Sequence, residues 1–202
     1  VLAGLLVRGA FLSSPPVDAH HVRQADTASM ARVMARETLS LWTPRIGWAG
    51  PEAGPVEAEF PLYSAAVAAG WRVLPGEPAW LARLVSILAW LMGGVALHRL
   101  LSRRFPDLPA ALPLALYVLS PSAVLFSRSI QSDALAVAML AWAWERADAS
   151  RDSARPGRSL VHSGLLLGLA IALKGPVALW LPVVAYAGWA GLERLKGRDV
   201  LV

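Results

Sequence analysis

Charge is segregated along this chain. From Ala79 onward, long apolar runs alternate with short arginine clusters. This pattern constrains the fold more than any motif, because an apolar run of about 20 residues matches the hydrocarbon thickness of a bilayer. Only 16% of the residues are charged and 56% are hydrophobic, with a mean hydropathy of +0.50; soluble domains carry about 25% charged residues. A disordered chain is therefore excluded, and a water-soluble globule does not fit. With no cysteine, a disulfide-stapled module is excluded too, and the redox compartment is unreadable. The nine Trp suit bilayer interfaces, and the fifteen Pro are tolerated in membrane helices. The expected fold is all-α: a polytopic transmembrane helical bundle.

The net charge is +5, and 17 of the 19 basic residues are Arg. A basic balance is one mark of nucleic-acid binding. These arginines instead punctuate apolar runs and form no stripe interleaved with aromatics, so no nucleic-acid partner is expected.

Val1–Leu12 reads as the end of a first membrane helix, interrupted by Arg8, which must snorkel or pair. Lacking a basic leading region, it does not read as a signal peptide. The run opens without Met and the chain stops without a clear end, so residues 1–202 are expected to be the N-terminal part of one transmembrane domain, with later helices and any C-terminal domain missing. Residues 13–78 form a long loop. Within it, Ala19–Leu41 is expected to be a surface-lying helix, with Val22, Ala25, Ser29, Val33 and Met34 near one face and Arg23, Asp26 and Thr27 on another. Thr43–Pro55 is a Gly/Pro-rich loop, and Phe60–Leu74 a second short helix.

Residues 79–202 hold five expected membrane helices: Ala79–Leu101, Leu108–Phe126 with kinks at Pro113 and Pro121, Ser129–Trp144, Leu160–Leu173 and Val177–Ala190. Glu145–Arg158 is expected to be a charged linker, and Lys174-Gly175-Pro176 breaks the last pair. The shorter runs are also compatible with core segments beside a water-filled cavity. Strict alternation puts the clusters at Arg99–Arg104, Glu145–Arg158 and Glu193–Arg198 on one side, with ten basic residues. The short opposite loops hold Arg128 and Lys174. By the positive-inside rule the richer side is cytoplasmic, which places the loop of residues 13–78 outside.

Ionisable residues at membrane depth are functional hypotheses by default. Asp18, Glu57, Glu59, Arg128, Asp133 and Lys174 fall at the outer ends of spans or in the outer loop, where one cleft would collect them. Each also has a plain structural reading. Asp18 and Asp133 can be helix caps, the latter with Ser132. Lys174 suits the macrodipole at a helix end. Arg128 can anchor an interface, and Glu57 and Glu59 can be solvated charge. His20-His21 is no zinc motif, although one of the two can serve as a ligand or a donor. An acid facing a cation across an outer cavity suits a phosphate-bearing lipid: the cation neutralises the leaving phosphate, and the carboxylate takes a proton from the attacking nucleophile. That chemistry permits glycosyl transfer without demanding it.

Four segments carry a family resemblance. Asp18-Ala19-His20-His21-Val22-Arg23-Gln24, after the first helix, resembles the first outer loop of GT-C glycosyltransferases, nearest to the protein O-mannosyltransferase and aminoarabinose-transferase superfamily. Glu57-Ala58-Glu59-Phe60-Pro61-Leu62-Tyr63 resembles its second loop motif. Arg128-Ser129 through Ser132-Asp133 resembles the segment opening its fourth helix, and Lys174-Gly175-Pro176 its turn after the fifth. The resemblance implies an inverting membrane glycosyltransferase with an extracytoplasmic active site, using a polyprenyl-phosphate sugar donor and a protein, lipid or glycan acceptor. It implies catalytic roles for Asp18 and Glu59, and substrate-binding roles for Glu57, His21, Gln24, Arg128, Asp133 and Lys174, with Lys174 at the donor phosphate. A divalent metal at Glu57 or Glu59 is a further implication. The chain departs from the pattern where Ala19 follows Asp18, since some members carry a second acid there, and where no Lys stands beside the second acidic position. Arginine richness points to a bacterial plasma membrane. The rival from another class is a transporter or flippase-like carrier of lipid-linked sugar; the lack of an internal repeat and the gathering of charge at one face favour the enzyme.

Overall fold

The computed structural model describes residues 2–9, 12–15, 20–47, 53–109 and 111–198. Helices account for 73% of the structure, against two strands of two residues each, so the fold is all-α. In chain order the elements are α1 (Leu2–Gly9), α2 (His21–Arg36), β1 (Arg45–Ile46), β2 (Gly54–Pro55), α3 (Leu62–Val73), α4 (Ala79–Arg104), α5 (Ala111–Leu119), α6 (Pro121–Ser127), α7 (Asp133–Ala149), α8 (Pro156–Leu173), a 3₁₀ turn (Gly175–Trp180) and α9 (Leu181–Arg198). The chain divides into two compact units, residues 1–91 with 118–135, and residues 92–117 with 136–202.

In the first unit α2 packs on α3. On α3, Tyr63, Val67 and Trp71 recur every four residues, one helical face, and are buried with Ala31 of α2, Ala82 of α4 and Ile130. The buried stripe of α2 is Gln24, Met30, Ala31 and Met34. This differs from the expected face, since Val22 is 63% exposed: α3 engages the Gln24–Ala31 side. The helix also stops at Arg36, short of the expected Leu41. Arg72 of α3 explains the stop by donating to the carbonyls of Met34, Ala35 and Glu37 at 2.8, 3.2 and 3.3 Å, a cationic cap on the last turn. Glu77, in the turn before α4, bonds Arg32 and Arg36, each at 2.6 Å. Burial alone raises its pKa, but hydrogen bonds and charge from the two arginines outweigh burial and hold the carboxyl below its ordinary range. The expected Gly/Pro loop contains a minimal antiparallel pair, Arg45 opposite Pro55 and Ile46 opposite Gly54. Arg8 pairs rather than snorkels: fully buried, it donates to Ser127 Oγ at 2.6 Å and to the Gly4 carbonyl at 3.1 Å.

The expected span Leu108–Phe126 is broken into α5 and α6. Pro121 lacks the amide hydrogen that would continue α5, but suits the first position of α6, where Ser120 caps by accepting from Ala123 N–H at 3.3 Å.

In the second unit the expected charged linker is shorter: Glu145–Ala149 continue α7 and Pro156–Arg158 open α8, which leaves residues 150–155 as the connection. Glu145 is fully buried and accepts from Arg103 (2.8 Å), Arg99 (3.3 Å) and Arg146 (2.5 Å). Asp148, 2% exposed, is held by Arg103 at 3.2 Å and by Arg104. These partners let α7 carry two carboxylates inside the fold. Earlier in α7, Ala138 meets α4 at Gly93, where an added Cβ would lie 3.1 Å from the Ala138 backbone and 2.6 Å from Tyr117 Oη; small residues at such crossings let membrane helices approach closely.

Among the described residues, three segments are long and apolar enough to cross a membrane: Ala79–Arg104, Pro156–Leu173 and Gly175–Glu193. The side chains agree. On α8, Val161, Leu165 and Leu169 form an exposed apolar stripe while Ser163 is buried, donating to the Ala143 carbonyl at 2.7 Å. A helix that turns its leucines outward and its hydroxyl inward is built for a hydrocarbon solvent.

Candidate active site

A cleft of about 640 Å³ lies in the first unit, between α2 and the extended segment leading into α3. Its polar walls are His20, His21, Arg23, Asp26, Glu57, Glu59 and Ser132, and its apolar surface includes Met30, Ile46, Val56 and Phe60. The size and the mixed lining are those of a small-molecule site.

Glu59 is the fixed group of this cleft. Arg23 Nη2 donates to Oε1 at 2.7 Å, and Ser132 Oγ donates to Oε2 at 3.1 Å. The pair is half open to solvent, with the Glu59 side chain 33% and the Arg23 side chain 56% exposed. An ion pair so exposed adds little stability, about 0–1 kcal/mol. Its consequence is positional: a carboxylate and a guanidinium are presented together to whatever enters. Glu57, two residues earlier in the extended strand, is exposed at the same cleft.

Ser132 is presented by a segment whose backbone is held at three consecutive residues. Arg83 Nη1 donates to the Arg128 carbonyl at 2.9 Å, Ser86 Oγ lies 2.6 Å from the Ser129 carbonyl, and Gln24 Oε1 accepts from the Ile130 N–H at 2.9 Å. Arg83, 1% exposed, also donates through Nη2 to the carbonyls of Ser14 and Pro15, both at 3.2 Å. One guanidinium thus ties the start of the first loop to the segment before α7. At the cleft floor, Tyr63 Oη donates to the Ala82 carbonyl at 2.8 Å and lies 2.9 Å from Ser86 Oγ. The single Ser86 proton is shared between Tyr63 and Ser129. Burial pushes the Tyr63 phenol well above its ordinary pKa of 10.0, and Ser86 and Arg83 pull it back only partly, so this hydroxyl is a neutral structural donor at physiological pH.

His20 marks the cleft edge. It is the N-cap of α2, in the left-handed conformation (φ 58°, ψ 35°), and makes no side-chain capping bond. A non-glycine residue there costs roughly 1–3 kcal/mol, and such strain gathers at functional sites. Its ring packs on Phe126 with centroids 5.5 Å apart.

Of the residues singled out in the sequence, His21, Glu57 and Glu59 line the cleft. Gln24, expected to bind substrate, is instead fully buried and spends its carbonyl oxygen on the Ile130 backbone. Arg128 is the half-buried C-cap of α6. Asp133 opens α7 directly after Ser132, where a carboxylate suits the helix N-terminus. Lys174 belongs to the second unit, as the C-cap of α8, where a cation suits the macrodipole. Asp18 lies outside the described residues. Among the described residues no three His, Asp or Glu side chains converge to hold a metal ion.

A family model for dolichyl-phosphate-mannose-protein mannosyltransferases matches residues 59–200, well over half of the chain. The chain belongs to this family. It is therefore a membrane-embedded, mannosyltransferase-like glycosyltransferase. The match opens on Glu59 itself and includes Arg128, Asp133 and Lys174, while Asp18, His21, Gln24 and Glu57 precede it. Searches of curated proteins and of solved structures found no match.

Four residues important to the site were not singled out for it from sequence: Arg23, Arg83, Ser86 and Ser132. Arg83 had a signal, a cation five residues into an apolar span. Arg23 stood on a polar helix face and within the first-loop motif, with no role attached to it. Ser132 was marked as a cap beside Asp133, and nothing local marks Ser86; their roles come from contacts 73 and 43 residues away in sequence.

Proposed function

We propose that the chain transfers a sugar from a polyprenyl-phosphate-linked donor to an acceptor nucleophile at the extracytoplasmic face, inverting the anomeric centre. The observation that carries this reading is the paired Glu59 and Arg23 in an open, mixed-polarity cleft of a mannosyltransferase-family chain. A carboxylate with both oxygens positioned suits the hydroxyls of a sugar or acceptor, and the apolar wall suits the faces of sugar rings or the start of a lipid. Asp18 acts as the base: the acceptor oxygen attacks the anomeric carbon, its proton passes to the Asp18 carboxylate, and the anomeric C–O bond to phosphate breaks to release polyprenyl phosphate. Lys174 or Arg128 neutralises the leaving phosphate. Asp133, Glu57 and His21 contact substrate, while Gln24 acts through the segment that presents Ser132.

The test is release of polyprenyl phosphate by the full-length protein in nanodiscs. Wild type is expected to turn over lipid-linked sugar, while Asp18→Asn and Lys174→Ala fold normally and lose activity. If no lipid-linked sugar is consumed but such lipids bind and cross the bilayer, a carrier function replaces the transferase.

A further inference from the structure

Two cavities in the second unit have Arg146 and His162 in common among their lining residues. The first, about 440 Å³, lies at the start of α8 and is lined by Arg146, Arg155, Arg158, His162, Ser153 and Ser159. The second, about 350 Å³, is lined by Trp142, Leu165 and Leu166 and shares Arg146 and His162 with the first. One cavity is cationic and the other is apolar.

Their charges are not equivalent. Arg146 is already committed: its Nε and Nη2 bond Glu145 Oε2 at 2.5 Å, and its guanidinium lies 5.8 Å from the Trp142 ring centroid. It forms the fixed wall between the two cavities. Arg155 and Arg158 are exposed, and neither makes an ion pair among the described residues. No carboxylate is among the described residues lining the cationic cavity. The first turn of α8 adds to the demand for an anion, since its N-cap supplies no side-chain acceptor for the leading N–H groups.

The depth order matches a lipid. Pro156–Leu173 is one of the segments long and apolar enough to cross a membrane; in such a crossing its first turn lies at the bilayer surface. Leu165 is seven residues beyond Arg158, about 10 Å deeper at 1.5 Å per residue. A phosphate at Arg155 and Arg158 would thus have its acyl chain pass Arg146 onto Trp142, Leu165 and Leu166. Basic pockets between membrane helices are places where anionic head groups bind.

We propose that these two cavities together form a binding site for one anionic phospholipid. The phosphate sits between Arg155 and Arg158, with His162 and Ser159 as further donors, and one acyl chain lies on Trp142, Leu165 and Leu166. Two uncompensated arginines select a head group with net negative charge over a zwitterionic one, whose own amine cancels the phosphate. The site is separate from the cleft at Glu59 and independent of the sugar-transfer chemistry.

Native mass spectrometry of the full-length protein in detergent tests this directly, with phosphatidylglycerol and phosphatidylcholine of identical chains as probes. Wild type is expected to retain one phosphatidylglycerol about tenfold more tightly than phosphatidylcholine. Arg155→Ala with Arg158→Ala should abolish the preference, and the Lys pair at the same positions should restore it, which separates loss of charge from loss of fold. Leu165→Asn should weaken long-chain phosphatidylglycerol while sparing the preference among short-chain lipids. Equal retention of the two lipids by wild type, or an unchanged preference in the double Ala variant, overturns the proposal. So does displacement of the bound lipid by millimolar inorganic phosphate, which would identify a small-anion site instead.

Discussion

Two carboxylates, Glu59 and Glu145, each meet arginine, and the two settings differ in kind. Glu59 keeps a third of its side chain exposed, accepts from Arg23 and Ser132, and faces a cleft. Glu145 is fully buried and is surrounded by three arginines. An exposed pair is worth about 0–1 kcal/mol. Removing one member of a buried pair costs about 3–5 kcal/mol, because the remaining charge is left in a poorly solvated place. Identical residue types therefore separate into a carboxylate held for a ligand and a carboxylate held for the fold, and burial makes the distinction.

The largest test of that contrast is Glu145→Gln. It should destabilise the second unit by about 3–5 kcal/mol, read by denaturant unfolding in micelles; a loss no greater than that of Glu59→Gln would erase the distinction drawn from burial. Arg83→Leu comes next. It strips donors from the carbonyls of Arg128, Ser14 and Pro15, and the lost stability should be about 2–3 kcal/mol. Turnover should fall with it, since the segment presenting Ser132 loses its tie; a stable, fully active Arg83→Leu protein would detach that tie from the site. Gly93→Val should cost about 1–3 kcal/mol by forcing α4 off the Ala138 backbone, whereas Val at Gly168, which has open space around it, should change far less; equal effects would contradict the close crossing.

The smallest effect concerns pH. The Glu77 carboxyl ionises more readily in the fold than at its ordinary value of 4.5. Its stabilising contribution is therefore fully present above that value and is lost as pH falls through the lower folded value. Protection of the α2 amides, taken relative to the intrinsic exchange rate at each pH, should fall on acidification below about pH 4 in wild type. The acid dependence should be shallower in Glu77→Gln; identical acid profiles would remove Glu77 from the account.

The fold class was legible because segregation of charge and apolar runs is a property of the sequence alone. The start of α4, the short α3 and the break at Lys174 followed from run lengths and from Gly-Pro punctuation. What escaped was decided by distant partners. Nothing near Glu145 shows that Arg99 and Arg103 will wrap it, so the start of the linker read too early, at Glu145, where α7 runs on to Ala149. Nothing in residues 37–41 shows that Arg72 will cap α2 at Arg36. At the site, Glu59 and His21 were legible as residue types in a loop motif, whereas Gln24, a polar residue in the same motif, turned inward because the Ile130 N–H needed an acceptor. Arg83 was the legible exception that went unused, a cation inside an apolar run.

The central claim is that the Glu59 cleft is where sugar transfer occurs. The most direct measurement is the rate of polyprenyl phosphate release by Glu59→Gln at saturating lipid-linked sugar, with its unfolding midpoint recorded on the same sample. The account predicts a rate loss on the order of 10²-fold or more with a midpoint near that of wild type, because the substitution removes an exposed charge. A variant that unfolds no more easily and turns over at the wild-type rate would contradict it.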